Sequence, residues 1–158
     1  MSDNHWETQP RKENGEFTFR YEFWKQQLKA MAKMDDNPKV SKKYDGGSYY
    51  ELRKKYAGNQ NVEVHHTPAN SASYLSRLKG PCIAVDKKDH KKTSSYKNSG
   101  RTKKFRQQQK QFVNNNFLAA QEMDFVDLIR IAGKKYAKAM LEKLEYDMKL
   151  YKQGVIHG

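Results

Sequence analysis

The stretch "VEVHHTPANSAS", residues 62–73, decides how the rest of the chain is read. Its opening "VEVHH" alternates apolar and polar side chains, and a period of two predicts a half-buried strand. Neighbouring strand residues face opposite sides of a sheet. His65 and His66 can therefore share a site only if the strand ends there and the chain bends at Pro68. The chain has only five histidines, so two side by side ask for a reason.

Downstream, "PANSASYLSRLKG" reads as a loop, and "PCIAVD" is a second apolar run too short for a helix. Asp86 stands at an N-cap position before "KKDHKKTSSYK". The middle of the chain is thus strand, loop, strand, helix. Within that helix Asp86 and His90 are one turn apart on one face, while Asp89 points elsewhere, to solvent or to groups that support the site. One strand imidazole with Asp86 and His90 would make a compact cation site. Imidazole and carboxylate suit Zn, Ni or Mn better than Ca, and the expected cofactor is a divalent ion, one of these or Mg. The other strand histidine is then free to act as a base, since its ordinary pKa of about 6.5 allows proton removal from water near neutrality. A base that activates water and a cation that steadies phosphate charge are the parts of phosphodiester hydrolysis. Lys87, Lys88, Lys91 and Lys92 surround His90, and Arg77 and Lys79 lie in the loop, where they would hold the phosphate backbone. Plainer readings stand beside these. The histidines can be a strand-end pair, Asp86 can be only the helix cap, Thr93 can be a helix end or a hydrogen-bonding support, and the lysines can be a solvated face.

Composition supports a nucleic-acid partner without choosing an activity. Thirty-one Lys and Arg against eighteen Asp and Glu give +13. Such a surplus meets phosphate backbones, anionic membranes or acidic proteins. At 158 residues, 36% hydrophobic and 31% charged, the chain allows one domain with a modest core and polar segments around it. A single cysteine, Cys82, excludes an internal disulfide and a Cys-rich zinc site. No apolar run approaches the roughly 18 residues needed to span a bilayer, so membrane insertion is not expected. The first residues lack a signal-peptide core. Export is therefore expected to use a specialised route or a larger parent polypeptide.

Residues 1–18 read as a flexible leader, with a helix over 19–34, a break through Asn37-Pro38 and Gly46-Gly47, and a short helix capped by Ser48 with Glu51. After Gly100 three helices fill residues 101–153, broken near Asn114–Asn116 and Gly133. Ala137, Met140, Leu144, Met148 and Tyr151 form a core stripe in the last of them. The expected architecture is α+β: a small ββα-metal unit at about 62–97, embedded in a mainly helical domain spanning 19–153.

The segments "GGSYYELRKK", "VEVHHTPANSAS" and "GPCIAVDKKDHKKTSSYKNS" resemble the HNH/endonuclease VII superfamily, and more narrowly the nuclease toxin domains at the C-termini of bacterial polymorphic toxins. The likeness covers about a third of the chain. It implies a metal-dependent endonuclease with His65 and His90 as metal ligands and His66 as general base. Asp86 sits where related nuclease colicins carry another histidine, and Asn70 is the nearest counterpart of the asparagine that fixes the base in many members. The resemblance also implies an effector delivered to a target-cell cytoplasm and a small immunity protein, expected to be acidic, as inhibitor. DNA is expected ahead of RNA as the nucleic-acid partner, although a metal and a base act alike on either backbone. Two other functions fit the charge alone: a non-catalytic nucleic-acid-binding module, and a helical protein that binds an acidic partner.

Overall fold

A computed structural model describes residues 15–32, 41, 43–97 and 100–158. The elements run α1 (Gly15–Ala32), β1 (Gly46–Ser48), α2 (Tyr49–Lys55), β2 (Val62–His66), β3 (Pro81–Asp86), α3 (Lys87–His90), α4 (Gly100–Phe112), α5 (Phe117–Ala132) and α6 (Ala137–Lys152). A single 3-10 turn, Asn70–Ala72, sits in the β2–β3 loop.

The three strands make one antiparallel sheet in the order β1-β3-β2. β3 is central, and its residues Cys82 to Val85 are fully buried. That explains its unbroken apolar run, since a strand covered on both faces has no polar side to show. β2 forms where its period predicts a strand, but burial does not follow the alternation: Val62, Glu63 and Val64 are all half-buried, and His65 is the buried residue. β1 was not expected, because Gly46-Gly47 reads as a turn. Its glycine serves close packing instead: a Cβ on Gly46 would stand 2.0 Å from the Ala139 carbonyl oxygen of α6. The sheet therefore rests on the helix backbone itself, as a strand glycine permits.

α1, α5 and α6 form the helical layer that closes the core. Phe17, Leu28, Phe125, Leu128, Met140 and Leu144 are all fully buried. The Phe17 ring stacks on Tyr151 at 3.8 Å, and Trp24 packs edge-on against Phe125 at 5.1 Å while its Nε1–H donates to Glu122 at 2.7 Å. Arg20 pairs with the same carboxylate. α1 begins at Gly15, so residues 15–18 belong to a helix rather than to the leader; residues 1–14 of that leader, residues 33–34 of the expected helix and the Asn37-Pro38 break lie outside the described residues. Of the expected α6 stripe, Ala137, Met140 and Leu144 are buried, while Met148 and Tyr151 pack against the core partly exposed.

Local signals place the other boundaries. The Ser48 hydroxyl accepts from the Glu51 amide at 3.1 Å, capping α2. Asn116 caps α5 through the Ala119 amide at 3.3 Å, and Gly133, at φ 59°, ends it. The helix after Asp86 is far shorter than its sequence suggests. It stops at His90, because Thr93 Oγ1 donates back to the His90 carbonyl at 2.8 Å and Asp127 of α5 draws Ser94 away through its amide and hydroxyl at 2.7 and 2.6 Å. No helix among the described residues is long and apolar enough to cross a membrane.

Candidate functional site

The register of β2 against β3 pairs Val62 with Asp86, Glu63 with Val85 and His65 with Ile83. Glu63 and His65 are two apart, so their side chains share one face of the sheet. α3 follows directly from β3 and lays His90 over that face. The His65 and His90 rings stand 4.9 Å apart between centroids, inclined at 55°. Behind them His90 Nδ1 lies 2.7 Å from Glu63 Oε1. A carboxylate only accepts, so Nδ1 carries the proton and the lone pair of His90 is on Nε2. Tyr96 closes against the His90 ring edge-on at 4.9 Å.

His65 is 3% exposed, and its Nε2 is buried without a hydrogen-bond partner. Burial, reinforced by the neighbouring His90 ring, pushes its pKa well below the usual histidine range. It is therefore neutral at pH 7. A buried, unpartnered imidazole nitrogen is a costly feature unless something accepts its lone pair or proton.

His66 occupies the opposite face. Its ring stacks on Tyr49 at 4.7 Å, and its Nε2–H donates to the Arg77 carbonyl at 3.0 Å. That bond leaves the lone pair on Nδ1. Burial and the Arg77 charge lower its pKa, against a raising contribution from the Arg77 carbonyl. Gly80 makes the arrangement possible: a Cβ there would lie 2.7 Å from His66 Cδ2.

His65, His66 and His90 all border one cavity of about 360 Å³, which Asn70, Ser71, Ser95, Tyr96, Lys97 and Arg106 also line. The rings of His65 and His90 are brought together; the His66 ring is kept apart on its own face of the strand.

The ligand set His65, His90 and Asp86 is not assembled. The Asp86 carboxylate caps α3, accepting from the Lys88 amide at 3.2 Å, and faces Lys135 at 3.6 Å. Among the described residues no three His, Cys, Asp or Glu side chains are grouped to hold a metal ion. Asp89 does not face solvent or the histidines. It is buried and accepts from Tyr136 Oη at 2.5 Å and Lys135 Nζ at 2.8 Å, which fastens α3 to the α5–α6 turn. Burial alone would raise its pKa, but those two donors overcome it and hold the carboxyl below the usual range. Thr93 is buried and bonds the His90 carbonyl, so it fixes the backbone that carries His90. Lys87, Lys91 and Lys92 are exposed and none lines the cavity; Arg77 lies over the Tyr49 ring at 5.0 Å, on the His66 side.

Glu63, Lys97 and Arg106 border or support the site and were not singled out from sequence. For Glu63 a signal existed, since two residues before His65 in a strand means the same face. For Lys97 and Arg106 none did. No protein family, curated protein or solved structure matches the chain.

Proposed function

We propose that the protein is a metal-dependent endonuclease that hydrolyses phosphodiester bonds, with DNA preferred over RNA. The observation that carries this reading is the buried, partnerless Nε2 of His65 beside a His90 ring whose Nδ1–H is anchored by Glu63. A carboxylate behind an imidazole is the usual way a metal-binding histidine is oriented and made more basic. Both rings offer imidazole nitrogen, a donor type that would fit Zn, Ni or Mn. A divalent ion held there would supply charge stabilisation to the phosphate.

His66 is the general base in this reading. Burial keeps it neutral and the Arg77 carbonyl fixes the tautomer that leaves Nδ1 able to take a proton, but its ring lies on the face of β2 opposite the His65–His90 pair, so the base role rests on the resemblance and not on a shared pocket of rings. The net charge of +13 favours capture of a polyanion, with affinity that falls steeply as salt rises. Read together with its resemblance to HNH/endonuclease VII toxin domains, the protein is proposed as a delivered effector acting in a target cell. It is further proposed to be held in check by an acidic immunity protein that covers the cationic surface.

The test is incubation of the purified protein with plasmid DNA and total RNA across Mg, Mn, Ni and Zn, beside His65→Ala, His66→Ala and His90→Ala. Nicking that needs metal, stops with chelator and is lost in each variant is the expected result. Salt-sensitive binding that survives all three substitutions, with no cleavage under any metal, would leave a non-catalytic nucleic-acid-binding module in its place.

A further inference from the structure

The cavity wall away from the sheet is the turn at residues 94–97, and it is built with unusual care. Lys97 has a φ of 64° and is the only non-glycine residue with positive φ among the described residues. A side-chain-bearing residue occupies that left-handed region against a steric cost, and such outliers persist only where the surroundings hold them. Here the holding groups are explicit. Arg106 Nη1 donates to the carbonyls of both Ser95 and Lys97 at 2.8 Å, and Thr102 Oγ1 donates to the same Lys97 carbonyl at 3.0 Å. Asp127 pins the start of the turn through Ser94. The result sets the Lys97 ammonium 5.6 Å from the Tyr96 ring centre, and Tyr96 in turn abuts His90. Lys97 and Arg106 are the two cations lining the cavity, and Arg106 is engaged on backbone carbonyls.

We infer that Lys97 is a phosphate-contacting residue of this site, its ammonium binding a backbone phosphate of the nucleic acid lodged at the His65–His90 pair. Arg106 is the positioning residue that maintains the left-handed turn. The inference rests on the nuclease reading for where the phosphate lies. It shifts the anionic contact from Lys87, Lys91 and Lys92, which line no part of the cavity, to a residue seven positions beyond His90.

Glycine tolerates the left-handed region, so Lys97→Gly removes the ammonium while sparing the backbone. Lys97→Arg keeps the charge. Binding of a fluorescein-labelled duplex oligonucleotide is followed by anisotropy in chelator, over about 50–200 mM salt, where each phosphate contact contributes close to one unit to the slope of log affinity against log salt. Lys97→Gly is expected to reduce that slope by about one unit and Lys97→Arg to preserve it. Unchanged slope and affinity in Lys97→Gly overturn the assignment. Plasmid nicking with Mn is run on the same preparations. A parent that nicks, with an unaltered slope in Lys97→Gly, discards the lysine and keeps the hydrolase. A parent that never nicks, with a reduced slope, discards the hydrolase and keeps the lysine as a nucleic-acid contact.

Discussion

Removing the carboxylate of Glu63 separates a metal-binding histidine pair from two rings that merely pack. His90 ends a four-residue helix with 19% of its side-chain surface exposed, and its ring packs against His65 and Tyr96. The ring's one polar anchor among the described residues is the 2.7 Å bond from Nδ1–H to Glu63 Oε1. Carboxylates placed behind ligating imidazoles are typically worth 10- to 100-fold in metal affinity or activity, about 1.4–2.7 kcal/mol. Glu63 is 34% exposed on its side chain, so solvent moderates its electrostatic share. Glu63→Gln retains an acceptor at the same reach without the charge and is expected near the lower limit, about tenfold. Glu63→Ala also frees the ring to rotate and is expected near the upper limit, about 100-fold. Isothermal titration with Ni or Zn reads the affinity, and plasmid nicking at low and saturating metal reads the activity. Excess metal should restore much of the Glu63→Gln rate, since its defect is in holding the ion. Circular dichroism should be unchanged, because position 63 lies on the outer strand and only partly buried. If Glu63→Ala binds metal within twofold of the parent, the carboxylate supports no metal ligand and the site reasoning fails.

Gly80→Ala should act on His66 alone: the added methyl meets Cδ2 at 2.7 Å and Nε2 at 3.1 Å, forcing the ring off the Arg77 carbonyl. A displacement of that order costs about 100-fold in rate, so nicking within threefold of the parent would remove His66 from the mechanism. The buried pair Lys143–Asp147, 3.3 Å apart with no exposed side-chain surface, predicts a stability effect rather than an activity effect. Lys143→Met leaves Asp147 and the nearby buried Asp124 without their cation and should lower urea-unfolding stability by about 3–5 kcal/mol at pH 8. The deficit should shrink towards pH 5. Burial, partly offset by Lys143, already pushes Asp147 up to about 6, and without Lys143 it rises further. A carboxyl whose folded pKa exceeds its unfolded value of about 3.9 is destabilising above that value and increasingly so until it ionises, so acid relieves the penalty. Equal deficits at pH 5 and pH 8 would contradict this.

What was legible in the sequence is what local chemistry determines. Ser48 and Asp86 cap helices because a short oxygen-bearing side chain reaches the free amides of a first turn, whatever the rest of the fold does. Gly133 and Gly154 take positive φ at helix ends for an equally local reason. β2 announces itself by its period. What was not legible depends on partners far along the chain. Gly46-Gly47 looks like a turn until the backbone of α6 is laid against it. The segment after His90 looks helical until Asp127 captures Ser94, 33 residues away. Asp89, expected to face solvent or to support the site, is held instead by Tyr136 and Lys135, 47 and 46 residues away.

The site belongs to both categories, and the β2–β3 register joins them. With Val62 opposite Asp86, α3 starts level with the head of β2. One turn of helix, about 6 Å of rise, then returns His90 over Glu63 and His65, which a strand separates by about 7 Å. Were the register to slip by one residue, Glu63 and His65 would exchange faces with Val62, Val64 and His66. His90 would then lose both partners at once, and the histidine pair would become His66 with a valine where the carboxylate now stands. The cap at Asp86 is therefore part of the site although it touches no part of the cavity. By ending β3 and starting α3 at one residue, it sets how far His90 travels before it meets the strand. Asp86 thus contributes through placement, and its replacement by asparagine, which caps equally well, should leave metal binding intact where a metal ligand's replacement would not.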